Sequence, residues 1–310
     1  MAVTACGSSE ASIAPPDGPP TGSLLVLETQ ACNWLQPPDP NKCDWVGLVR
    51  IGLDGEPIEE LAPEPPMPMQ PLALAPDQRL VAWAWNWELG VMEVDGGVPR
   101  VVTRKLLAEN LGESAMDPTW SPDGSEILFR WVGANRDPSW YRIHVLTEEL
   151  TEVPIPIDCR AMAWSPDGST LACQVWRQSA TDPNVEISDL FQVDLETFDV
   201  TPLTNVDDAV EASAPAWSPD GRWLAFALAS GQGTGEDPVD GIWVMDVETL
   251  ETQRLLPGGI DAPTWSPDGG YLAAYDGDQG RVIIFGRDGS GLTVLDHEPR
   301  QYIWPRWVGD

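Results

Sequence analysis

Trp120-Ser121-Pro122-Asp123-Gly124 decides the fold, because the same five residues return at 164–168, 217–221 and 265–269. The four tryptophans, Trp120, Trp164, Trp217 and Trp265, stand 44, 53 and 48 residues apart. A weaker copy, Leu74-Ala75-Pro76-Asp77-Gln78, begins 46 residues before Trp120. A truncated one, Trp304-Pro305-Arg306-Trp307, ends 42 residues after Trp265. Six copies at this period mark a propeller or solenoid, not two ordinary domains. Within a copy, Pro presets φ for a type I turn, Asp tolerates the next position, and Gly takes the positive φ that closes a bulged hairpin. Gln78 replaces that Gly in the weak copy, so a distorted turn is expected there.

Strand-like residues follow each turn, as at Ile127-Leu128-Phe129, Leu171-Ala172-Cys173, Leu224-Ala225-Phe226 and Leu272-Ala273-Ala274. A second strand follows at 141–146, 190–193, 242–247 and 282–285, and a short third ends near Val153, Leu203, Leu255 and Leu295. Each unit is therefore four strands, one before the turn and three after. Units of this size that cannot bury both faces alone are propeller blades. Near the start, 24–27, 45–51 and a strand at Ile58 lack a preceding turn motif, and 302–308 lacks a following blade. The expected fold is all-β: a six-bladed propeller of four-stranded antiparallel blades, closed by N- and C-terminal strands that share one blade. Such closure removes exposed sheet edges.

The Trp-Ser-Pro-Asp-Gly turn followed by a Leu-Ala-Phe-like strand resembles the TolB-type propeller repeat. The same repeat occurs in the propeller part of prolyl-oligopeptidase-like proteins. The resemblance spans about residues 23–310, and it implies a fold far more sharply than a function. No stretch of the 310 residues corresponds to the separate N-terminal domain of TolB or to a peptidase domain.

Composition narrows the chemistry. Lys plus Arg number 17 against 49 Asp plus Glu, a net charge of −32. Phosphate backbones and anionic membrane surfaces repel such a chain, so nucleic acid is a poor partner and a membrane is reached only through an anchor. The two lysines, Lys42 and Lys105, follow no Gly-rich loop, which excludes a P-loop. Two histidines, His144 and His297, leave little for a His-rich zinc site or for general-base chemistry. No Gly-x-Ser-x-Gly elbow occurs, and no apolar run approaches a membrane span. The reading is no enzyme and no catalytic residue.

Residues 1–22 read as a start segment and flexible tether ahead of a propeller at 23–310. Val3-Thr4-Ala5-Cys6 resembles a bacterial lipobox, which implies lipidation at Cys6; a chance Cys in a tail is the competing reading. The charged and apolar parts of a signal peptide are missing, as from a truncated precursor. Two local disulfides are expected, Cys32–Cys43 across a Pro-rich loop and Cys159–Cys173 across the hairpin at 164–168, and both fit an oxidising compartment. Against the second, Cys173 fills the slot of Phe129 and Phe226 and is also readable as a small core residue.

The motif tryptophans recur at one structural position, which favours wedges between blades over a stacking site. The motif aspartates Asp123, Asp167, Asp220 and Asp268 read as turn formers. Long loops gather on the face opposite the motif turns, with Asp117, Asp158, Asp207, Asp208, Glu211, Glu236, Asp237, Asp240, Asp261 and Glu298. The partner-binding candidates are Asp207, Asp208, Glu211, Glu236, Asp237 and Asp240. Calcium is a lesser reading of the same acids, a solvated acidic surface the plainer one, and no metal ligand is assigned. The function expected is an exported, lipid-anchored protein of the cell envelope or surface that binds another protein. The alternatives are a sensor propeller for a sugar, peptide or calcium, and the non-catalytic half of a split peptidase.

Overall fold

The computed structural model describes residues 13–30, 45–62, 73–85, 88–94, 100–102, 114–132, 138–179, 182, 184–206, 210–230, 239–295 and 300–309. Twenty-four strands are present among them. The first sheet holds β1 (Ser23–Gln30), β2 (Trp45–Ile51) and β3 (Pro57–Ala62). Next come β4 (Ala73–Leu74), β5 (Leu80–Trp85), β6 (Glu88–Glu93) and β7 (Arg100–Val101), then β8 (Ser114–Trp120), β9 (Glu126–Val132), β10 (Pro138–His144) and β11 (Leu150–Val153). The fourth group is β12 (Arg160–Trp164), β13 (Thr170–Gln178), β14 (Glu186–Asp194) and β15 (Val200–Pro202). The fifth is β16 (Val210–Trp217), β17 (Trp223–Ser230), β18 (Gly241–Asp246) and β19 (Thr252–Pro257). The sixth is β20 (Ile260–Trp265), β21 (Tyr271–Asp276), β22 (Arg281–Gly286) and β23 (Thr293–Leu295), and the last strand is β24 (Arg300–Val308).

Pairing gives four sheets of four strands and one of eight. The eight-stranded sheet is the fourth and fifth groups, joined by a single parallel bridge between Ser188 and Glu211. All other pairings are antiparallel, and β24 pairs with β1, Ser23 opposite Val308. The arrangement is propeller-like. Neighbouring strand groups bury apolar faces against each other: Leu128 and Trp140 meet Leu171 and Val193, and Ala172 and Leu190 meet Leu224 and Phe226. Leu24 and Ile51 of the first sheet meet Val282 and Ile284 of the last.

The repeated motif builds one local structure. The Gly N–H donates to the Ser carbonyl, at 2.9 Å in all four full copies, with Gly φ between 68° and 76°. The Ser hydroxyl is buried and does two jobs. It donates to the Asp carboxylate, as from Ser218 to Asp220 at 2.6 Å, and it accepts the N–H five residues on, as from Trp223 at 2.8 Å. The Asp carboxylate in turn accepts the N–H two residues on, as from Ser125 to Asp123 at 3.0 Å.

The copies also touch each other. A Cβ on Gly168 would lie 3.7 Å from Pro122, one on Gly221 3.7 Å from Pro166, and one on Gly269 3.5 Å from Pro219. The weak copy is not distorted. Gln78 adopts φ 60°, and its N–H still reaches the Ala75 carbonyl at 2.8 Å. Its side chain supplies what Gly lacks, a carbonyl oxygen that accepts the Gly309 N–H at 2.7 Å and ties the end of β24 to the second sheet.

Three residues before each motif Trp, the innermost strand carries a bulge. Asp117, Ala161, Ala214 and Ala262 all have positive φ, from 44° to 54°, at the point where the register with the next strand slips. Non-glycine residues rarely adopt this region, and a bulge re-aims side chains. Its recurrence before all four full motifs makes it part of the repeat.

The segment read as a flexible tether makes contacts over its described part, 13–22. Ile13 is buried among Trp223, Leu255 and Phe285. Arg287 donates to the carbonyls of Ala14 and Pro15, Tyr271 to that of Gly18, and Trp307 to that of Thr21. The disulfide Cys159–Cys173 is formed, from the residue before β12 to β13, with Cα atoms 5.4 Å apart. Cys6, Cys32 and Cys43 lie outside the described residues.

Candidate functional site

Aligning the copies on the motif Trp places residues at common levels of the innermost strands. Asp158 and Glu211 stand six residues before their Trp; Arg160, Ser213 and Asp261 stand four before. The bulge just after these positions turns this end of each strand, the end away from the motif turns, toward its neighbours.

Two charged groups result. In the first, Arg130 from β9 is buried and reaches Asp117 at 3.0 Å and Asp158 at 3.4 Å, while Arg160 holds Asp158 at 2.6 Å. Two carboxylates meet two guanidiniums, so this group is internally compensated. In the second, Ser213 Oγ lies 3.5 Å from Asp261 Oδ1, and Glu211 and Arg306 feel the Asp261 charge. Burial pushes the Glu211 carboxyl up, and the neighbouring Asp261 charge pushes it the same way. Burial also raises Asp261, against the opposing pull of the Ala262 N–H, Ser213 and Arg306. Arg306 is lowered to about 10 by burial, with Asp261 holding it up. Asp261 is exposed to solvent and Glu211 is half-buried, so this pair carries negative charge at the surface, with Arg306 opposing the charge of Asp261.

The remaining candidates separate. Asp207, Asp208, Glu236 and Asp237 lie outside the described residues. Asp240 is a correction: it is 2% exposed, and its carboxylate accepts the backbone N–H and hydroxyl of Ser230. Its own carbonyl accepts from Arg254 and from Gly258 N–H. It closes the base of the β17–β18 connection and is not available to a partner. Asp189, not singled out from sequence, does the same for the connection before β16. It is buried and accepts from Arg177 at 2.8 Å, Thr204 Oγ1 at 3.0 Å and Val206 N–H at 2.7 Å, fixing the chain up to the residue before Asp207.

The motif aspartates serve the turns. The Ser hydroxyls hold Asp123, Asp167 and Asp268 below the usual carboxylate range, with the following N–H groups adding to the effect. Three motif indoles donate to the first strand of the preceding group, Trp120 to Ala73, Trp217 to Ala163 and Trp265 to Ala216, as wedges between groups would. Among the described residues, no group of three or more His, Cys, Asp or Glu is placed to hold a metal ion.

No protein-family model matches the chain. It is 27% identical over 151 residues to an uncharacterized peptidase, YuxL of Bacillus subtilis, in an alignment covering 46% of this chain and 21% of the peptidase. Solved structures match far more of it. TolB from Acinetobacter baumannii superposes with a TM-score of 0.69 at 19% identity, over 93% of this chain and 67% of that one. A putative TolB from Agrobacterium tumefaciens gives 0.60 at 19% identity, over 88% and 89%. A chain of a nidogen/laminin complex gives 0.65 at 13% identity, over 91% and 97%. At these identities the likeness is one of fold. The repeat, the sheets and the superpositions agree: this chain has the TolB-type propeller fold.

Proposed function

We propose that residues 23–310 form one closed ring of six blades, the eight-stranded sheet counting as two, and that the ring is a non-catalytic protein-binding module. The Gln78–Gly309 tie and the apolar packing of the last sheet on the first support closure. The observation that carries the binding role is the pair of carboxylates Glu211 and Asp261, half-buried and exposed, at the ends of β16 and β20 away from the motif turns. It suits a cationic segment of a protein partner, and the sequence offers Asp207, Asp208, Glu236 and Asp237 as further candidates. Complementary charge of this kind acts mainly on association rate. The Cys159–Cys173 disulfide fits an oxidising, exported setting, and with the lipobox-like start it supports an envelope or surface protein anchored at Cys6.

Association with a partner drawn from the native envelope should slow as salt rises, because screening acts beyond roughly 8–10 Å. Replacing Asp207, Asp208 and Asp237 by Asn should slow it likewise without unfolding the ring. Binding at the wild-type rate by that variant, and by Glu211→Gln, would place recognition elsewhere. A second reading, a sensor for a small cationic ligand such as a peptide amine or calcium, is favoured by the exposed Asp261 acting on the neighbouring Glu211 carboxyl. Calorimetric titration with calcium and with short basic peptides separates the two. The YuxL resemblance supports the third reading, the non-catalytic half of a split peptidase; peptidase activity gained on adding a separately encoded hydrolase domain would establish it.

A further inference from the structure

We infer that the face carrying the motif turns rests against a lipid surface, leaving the Glu211–Asp261 pair turned away from it. This rests on the proposed anchor at Cys6. Two independent observations point to it. First, the described part of the N-terminal segment runs along this one face. From Ile13, seated against Trp223 and Phe285, it crosses Arg287 and Tyr271 to meet Trp307 before β1 begins. Cys6 stands seven residues upstream, and seven extended residues reach at most about 25 Å. A lipid on Cys6 is therefore held close to this face.

Second, the exposed large apolar residues sit on the same side. The turns between the third and fourth strands of a sheet are hydrogen-bonded to the motif turns: Val145 N–H to Ser125, Val247 N–H to Arg222 and Arg287 N–H to Gly270. Leu146 and Leu250 lie in such turns, Leu292 ends one, and Ile58 and Val294 follow within two residues. These five are the exposed large hydrophobics among the described residues, with Leu146 at 85%, Ile58 at 60% and Leu292 at 54%. A single exposed Leu is ordinary. Five confined to one side, beside the path of a short leash, are a rim fit for the headgroup boundary. Exposed Asp77, Asp123, Asp167, Asp220 and Asp268 occupy the motif turns of that face. The surface it fits is therefore zwitterionic, because anionic headgroups would repel these carboxylates.

The test couples Cys6 to a maleimide lipid in phosphatidylcholine vesicles, with Cys32 and Cys43 changed to Ser, and reads backbone hydrogen exchange with and without vesicles. Segments 145–149, 247–251 and 287–292 should exchange several-fold more slowly on vesicles, while 154–159, on the connection between β11 and β12, should not change. Leu146→Asp with Leu292→Asp should abolish the protection, and adding phosphatidylglycerol should reduce it. A chain coupled instead through Asn184→Cys, with Cys6→Ser, should leave the turns unprotected. Protection of 154–159, or none anywhere, overturns the inference. The mass of the mature N-terminus from native cells tests the anchor separately, so either idea can fail alone.

Discussion

Trp265 donates its indole N–H to the carbonyl of Ala216, the residue just before the motif Trp of the preceding sheet, at 3.0 Å. Trp217 repeats this with Ala163 at 3.2 Å, and Trp120 with Ala73 at 2.9 Å. Trp164 breaks the series, since its buried Nε1 has no hydrogen-bond partner among the described residues. Replacing Trp265 by Phe keeps the wedge but leaves the carbonyl unmet, at a cost of about 1–3 kcal/mol. Trp164→Phe loses no bond and should cost less. Urea midpoints of the two variants measure the difference. Equal losses would mean that the indole N–H contributes nothing.

The closure of the ring is open to direct test. Deleting 302–310 leaves the inner edge of β1 without its partner and should lower the melting temperature and broaden the transition. Gln78→Ala removes the acceptor of the Gly309 N–H and should cost about 1 kcal/mol. A truncation that melts like the full chain would refute shared-blade closure.

Thiol titration checks the cysteines. With Cys159–Cys173 formed and Cys32–Cys43 expected, the unfolded, unreduced chain should show at most one free thiol. Three would confine the oxidation to the bond seen here. Removing Cys159–Cys173, which closes a loop of 14 residues, should cost about 3 kcal/mol.

Acid and neutral pH should act on different carboxylates. Asp123, Asp167 and Asp268 lie below their ordinary 3.8, so the stability they give is complete above that value and is lost as pH falls through their folded values. Glu211 and Asp261 are raised, so the folded form binds protons more tightly there. Their ionisation opposes folding, and stability falls as pH rises from 4.5 for Glu211, or 3.8 for Asp261, through their folded values. Glu211→Gln with Asp261→Asn should leave the acid limb unchanged and flatten the decline toward neutrality. Urea midpoints from pH 3 to pH 7 report both limbs; a variant curve parallel to wild type would remove the coupling of these two groups.

The repeat was legible because one turn demands one set of residues in order, and the strands around it follow from apolar runs of fixed spacing. The two jobs of the Ser hydroxyl were not, because a buried serine and an exposed one are written alike. Asp240 misled for the same reason. An Asp at a loop's end reads as solvated until Ser230 of β17 and Arg254 of β19 close over it. Glu211 and Asp261 lie 50 residues apart in sequence, and their coupling comes from adjacent sheets. Counting back from each Trp would have placed Ser213 and Asp261 on one level, but the bulge that turns them together leaves no residue signature, since Ala161, Ala214 and Ala262 adopt positive φ without Gly.

The bond from Trp307 to Thr21 spans 286 positions. Everything between must be made before it can form, so the first three strands wait with an unpaired inner edge until the last nine-residue strand arrives. Closing so long a loop is entropically expensive and kinetically late. During that interval Leu24, Val26 and their neighbours remain open to other chains. For a protein that emerges N-terminus first, β1 is therefore the segment in longest need of a chaperone, and the final strand is the step that ends the need.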